Sequence, residues 1–100
     1  MSRLLTDDEV TQQLEGLPDW HRADTDEPSI TATYELDDFV AALAFVNKVG
    51  DEAEQLNHHP DIDIRWNKVI LVLSTHSEGG LTQADIELST RIARRRAEEE

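Results

Sequence analysis

The chain has 100 residues, 38% of them hydrophobic, no cysteine and a formal net charge of −13. This length allows one domain with a modest core, and the acidic surplus argues against direct nucleic-acid binding, which requires a basic surface. Disulfides and thiolate chemistry are excluded, which favours the cytosol. No apolar run approaches the roughly 18 residues of a membrane helix, and the start, MSRLLTDDEV, becomes acidic too early for a signal peptide. We therefore expect a cytoplasmic protein that binds neither membranes nor nucleic acid.

The first half of the chain predicts a helix, two strands and a second, longer helix. Thr6 and Glu9 have the spacing of a capping box, so a short helix is expected near residues 6–15, ending at Gly16. The strands WHRAD and SITATYEL follow, joined by the turn TDEP. The long helix extends from DDF to the asparagine of EQLN and carries an apolar stripe at helical spacing. This stripe consists of Phe39, Leu43, Val46, Gly50 and Ala53, widened by Leu36, Val40 and Val49.

The second half predicts two further strands and a last helix. In DIDIRW the apolar residues alternate with polar ones, as in a half-buried strand, and the following NK occupies the place of a tight hairpin turn. VILVLSTH is apolar on both faces, as a central strand would be, and it places His76 at the strand end beside the loop SEGG. Thr82 opens the last helix, whose buried side is marked by Leu81, Leu88 and Ile92.

This order of elements indicates an α+β fold, a four-stranded antiparallel sheet with helices packed on one face. We expect a single domain over residues 1–100. The basic cluster RIARRR in the last helix has a structural explanation, because cations stabilise a helix C-terminus and the following AEEE offsets their charge.

The segment NHHP, at the junction of the long helix and the third strand, is a candidate for chemistry. His58 and His59 are adjacent, and Pro60 restricts His59 to an extended backbone, which fixes the direction of its side chain. A lone histidine is usually a surface residue or a satisfied core residue. Two histidines before a proline at such a junction are less easily explained by packing alone.

Three further polar residues stand out, each with a structural alternative. Glu54 lies one helical turn before His58, where a carboxylate can hydrogen-bond an imidazole, but it also belongs to the solvated acidic run DEAEQ. His76 lies beside a glycine-bearing loop, a common position for site residues and for merely exposed ones. Asp85 follows Thr82 by three residues, as in a capping box, and also falls on the buried stripe, so it could cap the helix and line a pocket.

General acid–base chemistry fits these residues better than metal or nucleophilic catalysis. Three histidines and a carboxylate could bind zinc, but no helical zinc motif such as H-E-x-x-H occurs, and adjacent histidines seldom share one metal. Neither Ser74 nor Ser77 has the context of a nucleophile elbow. Histidine titrates near neutral pH and suits eliminations that need neither a metal nor a covalent intermediate. We therefore expect a site without metal or other cofactor.

A longer motif joins these residues. A glutamate precedes His-His-Pro by four residues, and an aromatic with NKV, a Thr-His pair and an aspartate follow, over about 35 residues in all. In this order and spacing, together with LTDDEV and GLPDW near the N-terminus, the chain resembles the pterin-4a-carbinolamine dehydratases, also called 4a-hydroxytetrahydrobiopterin dehydratases. The residues that carry the resemblance are Glu54, His58, His59, Pro60, Trp66, Asn67, Lys68, Val69, Thr75, His76 and Asp85.

The resemblance implies a metal-free hydro-lyase that converts 4a-hydroxytetrahydrobiopterin to quinonoid dihydropterin and water in tetrahydrobiopterin recycling. It implies that His58 and His76 are the acid–base pair, which protonates the leaving 4a-hydroxyl and helps to remove the N5 proton. His59 would bind and orient the pterin. Glu54 and Asp85 would support these histidines, and Pro60 and Thr75 complete the motif.

The resemblance also implies a homodimer or homotetramer, because family members join their sheets at an edge and their helices in a bundle. One departure concerns Ile62, which stands where the family often has an aromatic residue, and it bears on substrate identity and turnover. The alternative function is a non-catalytic oligomeric module that binds pterin or protein, similar to the dimerisation cofactors of the family.

Overall fold

The computed structural model describes residues 3–98. Four residues lie outside this range, namely Met1 and Ser2 at the start of MSRLLTDDEV and Glu99 and Glu100 at the end of AEEE. The order of elements agrees with the sequence prediction. The elements are α1 (Asp7–Leu14), β1 (His21–Asp24), β2 (Pro28–Glu35), α2 (Phe39–Leu56), β3 (Asp61–Arg65), β4 (Lys68–Leu73), a short 3₁₀ helix (His76–Glu78) and α3 (Gln83–Glu98).

Helix α1 begins with the predicted capping box. The Glu9 N–H donates to Thr6 Oγ1 at 3.1 Å, and the Thr6 N–H donates to Glu9 Oε1 at 2.9 Å. Both contacts give a partner to a backbone N–H group that the start of a helix leaves without one. Arg3 binds the same carboxylate through both terminal nitrogens, and its hydrogen bonds lower the pKa of Glu9 to about 2.

The four strands form one sheet in the order β1-β2-β4-β3, and each neighbouring pair is antiparallel. β4 is therefore a central strand, as predicted, and the α+β fold class is confirmed. Within residues 3–98, every helix is too short or too polar to span a lipid bilayer. Alternate residues of the two central strands point to the helices and form the core, namely Ile30, Ala32, Tyr34, Val69, Leu71 and Leu73.

The buried face of α2 differs from the predicted stripe. Val49 and Ala53 of that stripe are buried, whereas Phe39, Val40 and Leu43 are 47%, 74% and 41% exposed, so the predicted stripe is wrong at these three positions. α2 is apolar around much of its circumference, so two different stripes satisfy helical spacing and periodicity alone could not choose between them. The residues of α2 that are buried are Ala42, Phe45, Val49, Glu52 and Ala53.

The hairpin between β3 and β4 turns one residue earlier than predicted. Arg65 pairs with Lys68, so the two turn residues are Trp66 and Asn67 rather than NK. Trp66 has a φ of 53° and is exposed, whereas Asn67 is buried. The Asn67 side chain donates to the Leu36 carbonyl at 3.0 Å, and the Leu36 N–H donates to the Asn67 carbonyl at 2.8 Å. These two hydrogen bonds to Leu36 fix the position of the turn. Leu36 lies 31 positions before Asn67, so the neighbouring sequence could not predict the contact.

Two arginines of RIARRR bind a buried carboxylate on the neighbouring helix. Arg95 Nη1 lies 2.7 Å from Glu52 Oε2, and Arg91 Nη1 lies 3.6 Å from Glu52 Oε1. Arg95 and Arg96 are also in the last turn of α3, where cations are favoured, as expected. The cluster therefore serves the contact between α2 and α3 as well as the helix end.

Candidate active site

The way in which α2 ends positions the two adjacent histidines. Asn57 closes the helix in the left-handed conformation, with a φ of 49°, which asparagine adopts more readily than most residues. The His58 N–H then donates to the Ala53 carbonyl at 3.0 Å, and the Asn57 N–H donates to the Glu54 carbonyl at 3.2 Å. His58 and His59 are thus held between a closed helix end and the start of β3.

His58 is paired with Asp85, which is fully buried at the start of α3. Nε2 of His58 lies 2.6 Å from Asp85 Oδ1. Asp85 Oδ2 accepts from Thr75 Oγ1 at 2.8 Å and from the Thr82 N–H at 2.9 Å. A buried carboxylate is costly unless its oxygens are hydrogen-bonded, and these three contacts meet that requirement. Asp85 thus caps α3 and contacts a candidate histidine at the same time.

Glu54 is paired with His59 and not with His58, the partner that helical spacing predicted. Glu54 Oε2 lies 2.6 Å from Nε2 of His59. The helix does not continue to His58, since Asn57 reverses the backbone, so helical spacing no longer applies beyond Leu56. Both side chains of this pair are exposed, whereas those of the His58–Asp85 pair are almost entirely buried.

The sequence predicted His76 at the end of the central strand, but the structure places it beyond that end. β4 ends at Leu73, and His76 opens the 3₁₀ helix that Gly79 closes with a φ of 75°. Thr75 and Gly80 form an isolated bridge at the base of this turn. The Thr75 side chain contacts Asp85 and Thr82, which fixes the base of this turn to the start of α3.

Glu27, a residue that no sequence motif indicated, contacts His76. Its Oε1 is hydrogen-bonded to Nδ1 of His76, and the Ser74 hydroxyl donates to the same oxygen at 2.9 Å. Glu27 lies in the turn between β1 and β2, 49 positions before His76. No periodicity or motif spacing relates two residues so far apart, so the sequence held no signal for this contact beyond the turn residues themselves.

The three candidate histidines line one cleft of about 220 Å³. A second cavity, of about 410 Å³, adjoins it and shares Ser74 and His76. Glu54, Asp85, Pro60 and Ile62 line neither of these two cavities. The other residues of the cleft are Asn57, Ser74, Thr75 and Ser77.

The described residues offer histidine–carboxylate pairs rather than a cluster of metal ligands. Each of His58, His59 and His76 contacts one carboxylate. Among residues 3–98, no three histidine, aspartate or glutamate side chains lie in an arrangement that could hold a metal ion. The arrangement can donate and accept protons at adjacent points of one cleft, which is the requirement of general acid–base chemistry.

Comparison with known proteins gives one family. The family model for pterin 4 alpha carbinolamine dehydratase matches residues 3–95. A protein of Nocardia farcinica is 46% identical over 91 residues, covering 91% of this chain and 93% of its own length, and carries the provisional name pterin-4-alpha-carbinolamine dehydratase. A protein of Acidobacterium capsulatum with the same provisional name is 49% identical over 88 residues, covering 88% of this chain and 92% of its own.

Two solved structures have a similar fold. One is a transcriptional coactivator/pterin dehydratase from Brucella melitensis, with a TM-score of 0.86, 33% identity and coverage of 92% of this chain and 97% of that chain. The other is a pterin dehydratase-like protein identified as a RuBisCO assembly factor in the alpha-carboxysome. It has a TM-score of 0.61, 18% identity and coverage of 73% and 83%, a likeness of fold alone.

Proposed function

The chain belongs to the pterin 4 alpha carbinolamine dehydratase family, and from this premise we propose that it converts 4a-hydroxytetrahydrobiopterin to quinonoid dihydropterin and water in tetrahydrobiopterin recycling. One observation carries the proposal for the mechanism. His58, His59 and His76 line the same cleft, and each is hydrogen-bonded to its own carboxylate.

The dehydration breaks the bond between C4a and its hydroxyl and removes a proton from N5, so that a C4a=N5 double bond forms and water leaves. One group must protonate the departing hydroxyl and another must accept the N5 proton. A carboxylate accepts a hydrogen bond, so the bonded ring nitrogen of each histidine carries a proton. One ring of the pair must also carry a proton on its free nitrogen, which it gives to the departing hydroxyl, while the other ring is neutral and accepts the N5 proton on its free nitrogen. In our proposal the reactive atoms are Nδ1 of His58 and Nε2 of His76, neither of which has a hydrogen-bond partner within residues 3–98.

The remaining motif residues support this pair. His59 orients the pterin, and Glu54 holds the His59 ring through Nε2. Asp85 holds His58, and Thr75 donates to Asp85 and so keeps that carboxylate in place. Pro60 restricts the backbone of His59.

The proposal is tested by measuring dehydration of enzymatically generated 4a-hydroxytetrahydrobiopterin above its spontaneous rate. We expect His58→Ala and His76→Ala each to lower kcat by about 10²- to 10⁴-fold, the usual contribution of a general acid–base group. His21→Ala is the matched control, because His21 lies on β1 and lines neither cavity of the site. Full activity of both site variants would contradict the histidine mechanism.

The same assay separates the alternative function. A wild-type protein that binds a tetrahydropterin, followed by ligand fluorescence, but gives no turnover above the spontaneous rate is a non-catalytic pterin-binding module. A folded protein with neither binding nor turnover is an interaction module. Ile62 favours this alternative because it departs from the family pattern, although its side chain does not line the cleft.

We also propose a homodimer or homotetramer. Phe39, Val40 and Leu43 form an apolar face of α2 that this single chain leaves exposed. Sedimentation equilibrium should give a mass above that of the monomer, and Val40→Glu should lower it. Gln12→Glu, which adds the same charge on the exposed side of α1, should leave the mass unchanged.

A further inference from the structure

We infer that Glu27 is a positioning residue for His76, whose carboxylate holds the proton of the neutral ring on Nδ1 and leaves Nε2 as the reactive nitrogen. This inference rests on the proposed function, in which His76 exchanges a proton with the substrate. Glu27 lies outside the motif that relates this chain to its family, and it precedes His76 by 49 positions.

The contact has the geometry of an orienting pair. Glu27 Oε1 is bonded to Nδ1 of His76 and also accepts the Ser74 hydroxyl proton at 2.9 Å. The Glu27 side chain is 23% exposed, the His76 side chain 71%. The partly buried carboxylate is therefore the fixed partner, and the exposed ring takes its orientation from it.

Glu27 is itself held by the turn on which it lies. Pro28 restricts Glu27 to an extended backbone, because the proline ring clashes with a helical preceding residue. Thr25 Oγ1 donates to the Glu27 carbonyl at 3.0 Å. The Ser74 hydroxyl, directly after β4, lies 2.9 Å from Glu27 Oε1, and its one proton is shared between this oxygen and the carbonyl oxygens of Pro28 and Gly80.

His76 has more need of such a partner than His58. The His58 ring is packed at the end of α2 with 14% of its side chain exposed, whereas His76 is in a three-residue 3₁₀ helix at the surface. A neutral imidazole free in water places its proton mainly on Nε2, and the hydrogen bond made by one nitrogen decides which nitrogen carries it. Asp26 and Asp61 line the same cavity, but of the described carboxylates Glu27 is the one that contacts His76.

The test compares Glu27→Leu and Glu27→Gln with the wild type by two readouts. The first is the ¹⁵N chemical shifts of the His76 ring, recorded without substrate at a pH where the ring is neutral and assigned with His76→Asn. We expect the Nδ1–H tautomer in the wild type, its retention in Glu27→Gln, which keeps an acceptor oxygen, and a change to Nε2–H in Glu27→Leu. The second is kcat, which should fall by about 10- to 100-fold in Glu27→Leu with little change in KM, and recover largely in Glu27→Gln.

Glu78 supplies the matched control, since its side chain lies in the same 3₁₀ helix and makes no hydrogen bond or ion pair within residues 3–98. Glu78→Leu should change neither the tautomer nor kcat. An Nε2–H tautomer in the wild type, or an unchanged tautomer and kcat in Glu27→Leu, would overturn the inference. Because the wild-type spectrum needs no Glu27 variant and no turnover, it tests the inference even if Glu27→Leu fails to fold. An inactive wild type with the Nδ1–H tautomer would count against the proposed function and leave the pairing of Glu27 with His76 intact.

Discussion

Tyr34 is the chain's one tyrosine and lies buried on β2 between Trp20 and Phe45. Its hydroxyl accepts the Trp20 indole N–H at 3.1 Å, and its ring centroid lies 5.1 Å from that of Phe45. Burial raises the pKa of Tyr34 to about 12, because a phenolate would lose its hydration, and the Trp20 hydrogen bond opposes this only in part. The folded state therefore binds the phenolic proton more tightly than the unfolded chain does.

A spectrophotometric titration will test this pKa directly, since the tyrosinate absorbance comes from Tyr34 alone. We expect a midpoint near pH 12 instead of the usual value of about 10. Because the pKa is raised on folding, its contribution to stability is complete below pH 10 and is lost as the pH rises towards 12. A midpoint near 10, with the helical circular dichroism signal retained, would disprove the expected shift.

Between elements, one buried carboxylate organises the contact of α2 with α3. Glu52 is 8% exposed and contacts Arg95 and Arg91, and Arg91 also contacts Glu87 one turn earlier on its own helix. The same arginine thus takes part in a partly buried pair between helices and in an exposed pair within one helix. Such pairs differ in energy, because the carboxylate of the first pair is mostly shielded from water, while an exposed pair is already screened by water.

Glu52→Gln should therefore lower the midpoint of thermal unfolding by about 5 °C, since a change of 1 kcal/mol shifts a domain of this size by roughly 4–8 °C. Glu87→Gln makes the same chemical change at an exposed position and should shift the midpoint by no more than about 2 °C. The two variants are compared by circular dichroism at one pH and ionic strength. Equal shifts would mean that burial does not distinguish the two pairs.

The whole molecule carries 22 acidic and 9 basic residues. Its radius of gyration is 13.0 Å, and the Debye length is about 30 Å at 0.01 M salt, so at low salt the acidic groups repel one another across most of the molecule. Self-repulsion of this kind raises the free energy of the compact state relative to the unfolded chain. The same net charge keeps the protein soluble.

Sodium chloride should therefore raise the midpoint of thermal unfolding between about 0.01 M and about 1 M, with most of the rise at the low end, where screening changes fastest. Chloride is the suitable salt, because sulfate also strengthens the burial of apolar surface. A midpoint that falls with sodium chloride would show that attractive ion pairs such as Arg3–Glu9 outweigh the net repulsion.

The fold class, the order of elements and the histidine motif were predictable because each depends on neighbours in the chain. Thr6 with Glu9 indicates a helix start, VILVLSTH indicates a central strand, and NHHP indicates a junction between elements. Each signal is local, because helix capping, hydrophobic patterning and the restriction by proline act over a few residues. The tertiary structure decided what depends on distant contacts. It buried Phe45 of α2 and left Phe39 and Leu43 exposed, and it moved the hairpin turn to Trp66 and Asn67. It also paired Glu54 with His59 and brought Glu27 to His76. Local sequence can predict a helix or a turn, but a choice between two apolar faces, or between carboxylate partners for a histidine, is made by packing against elements far away in the chain.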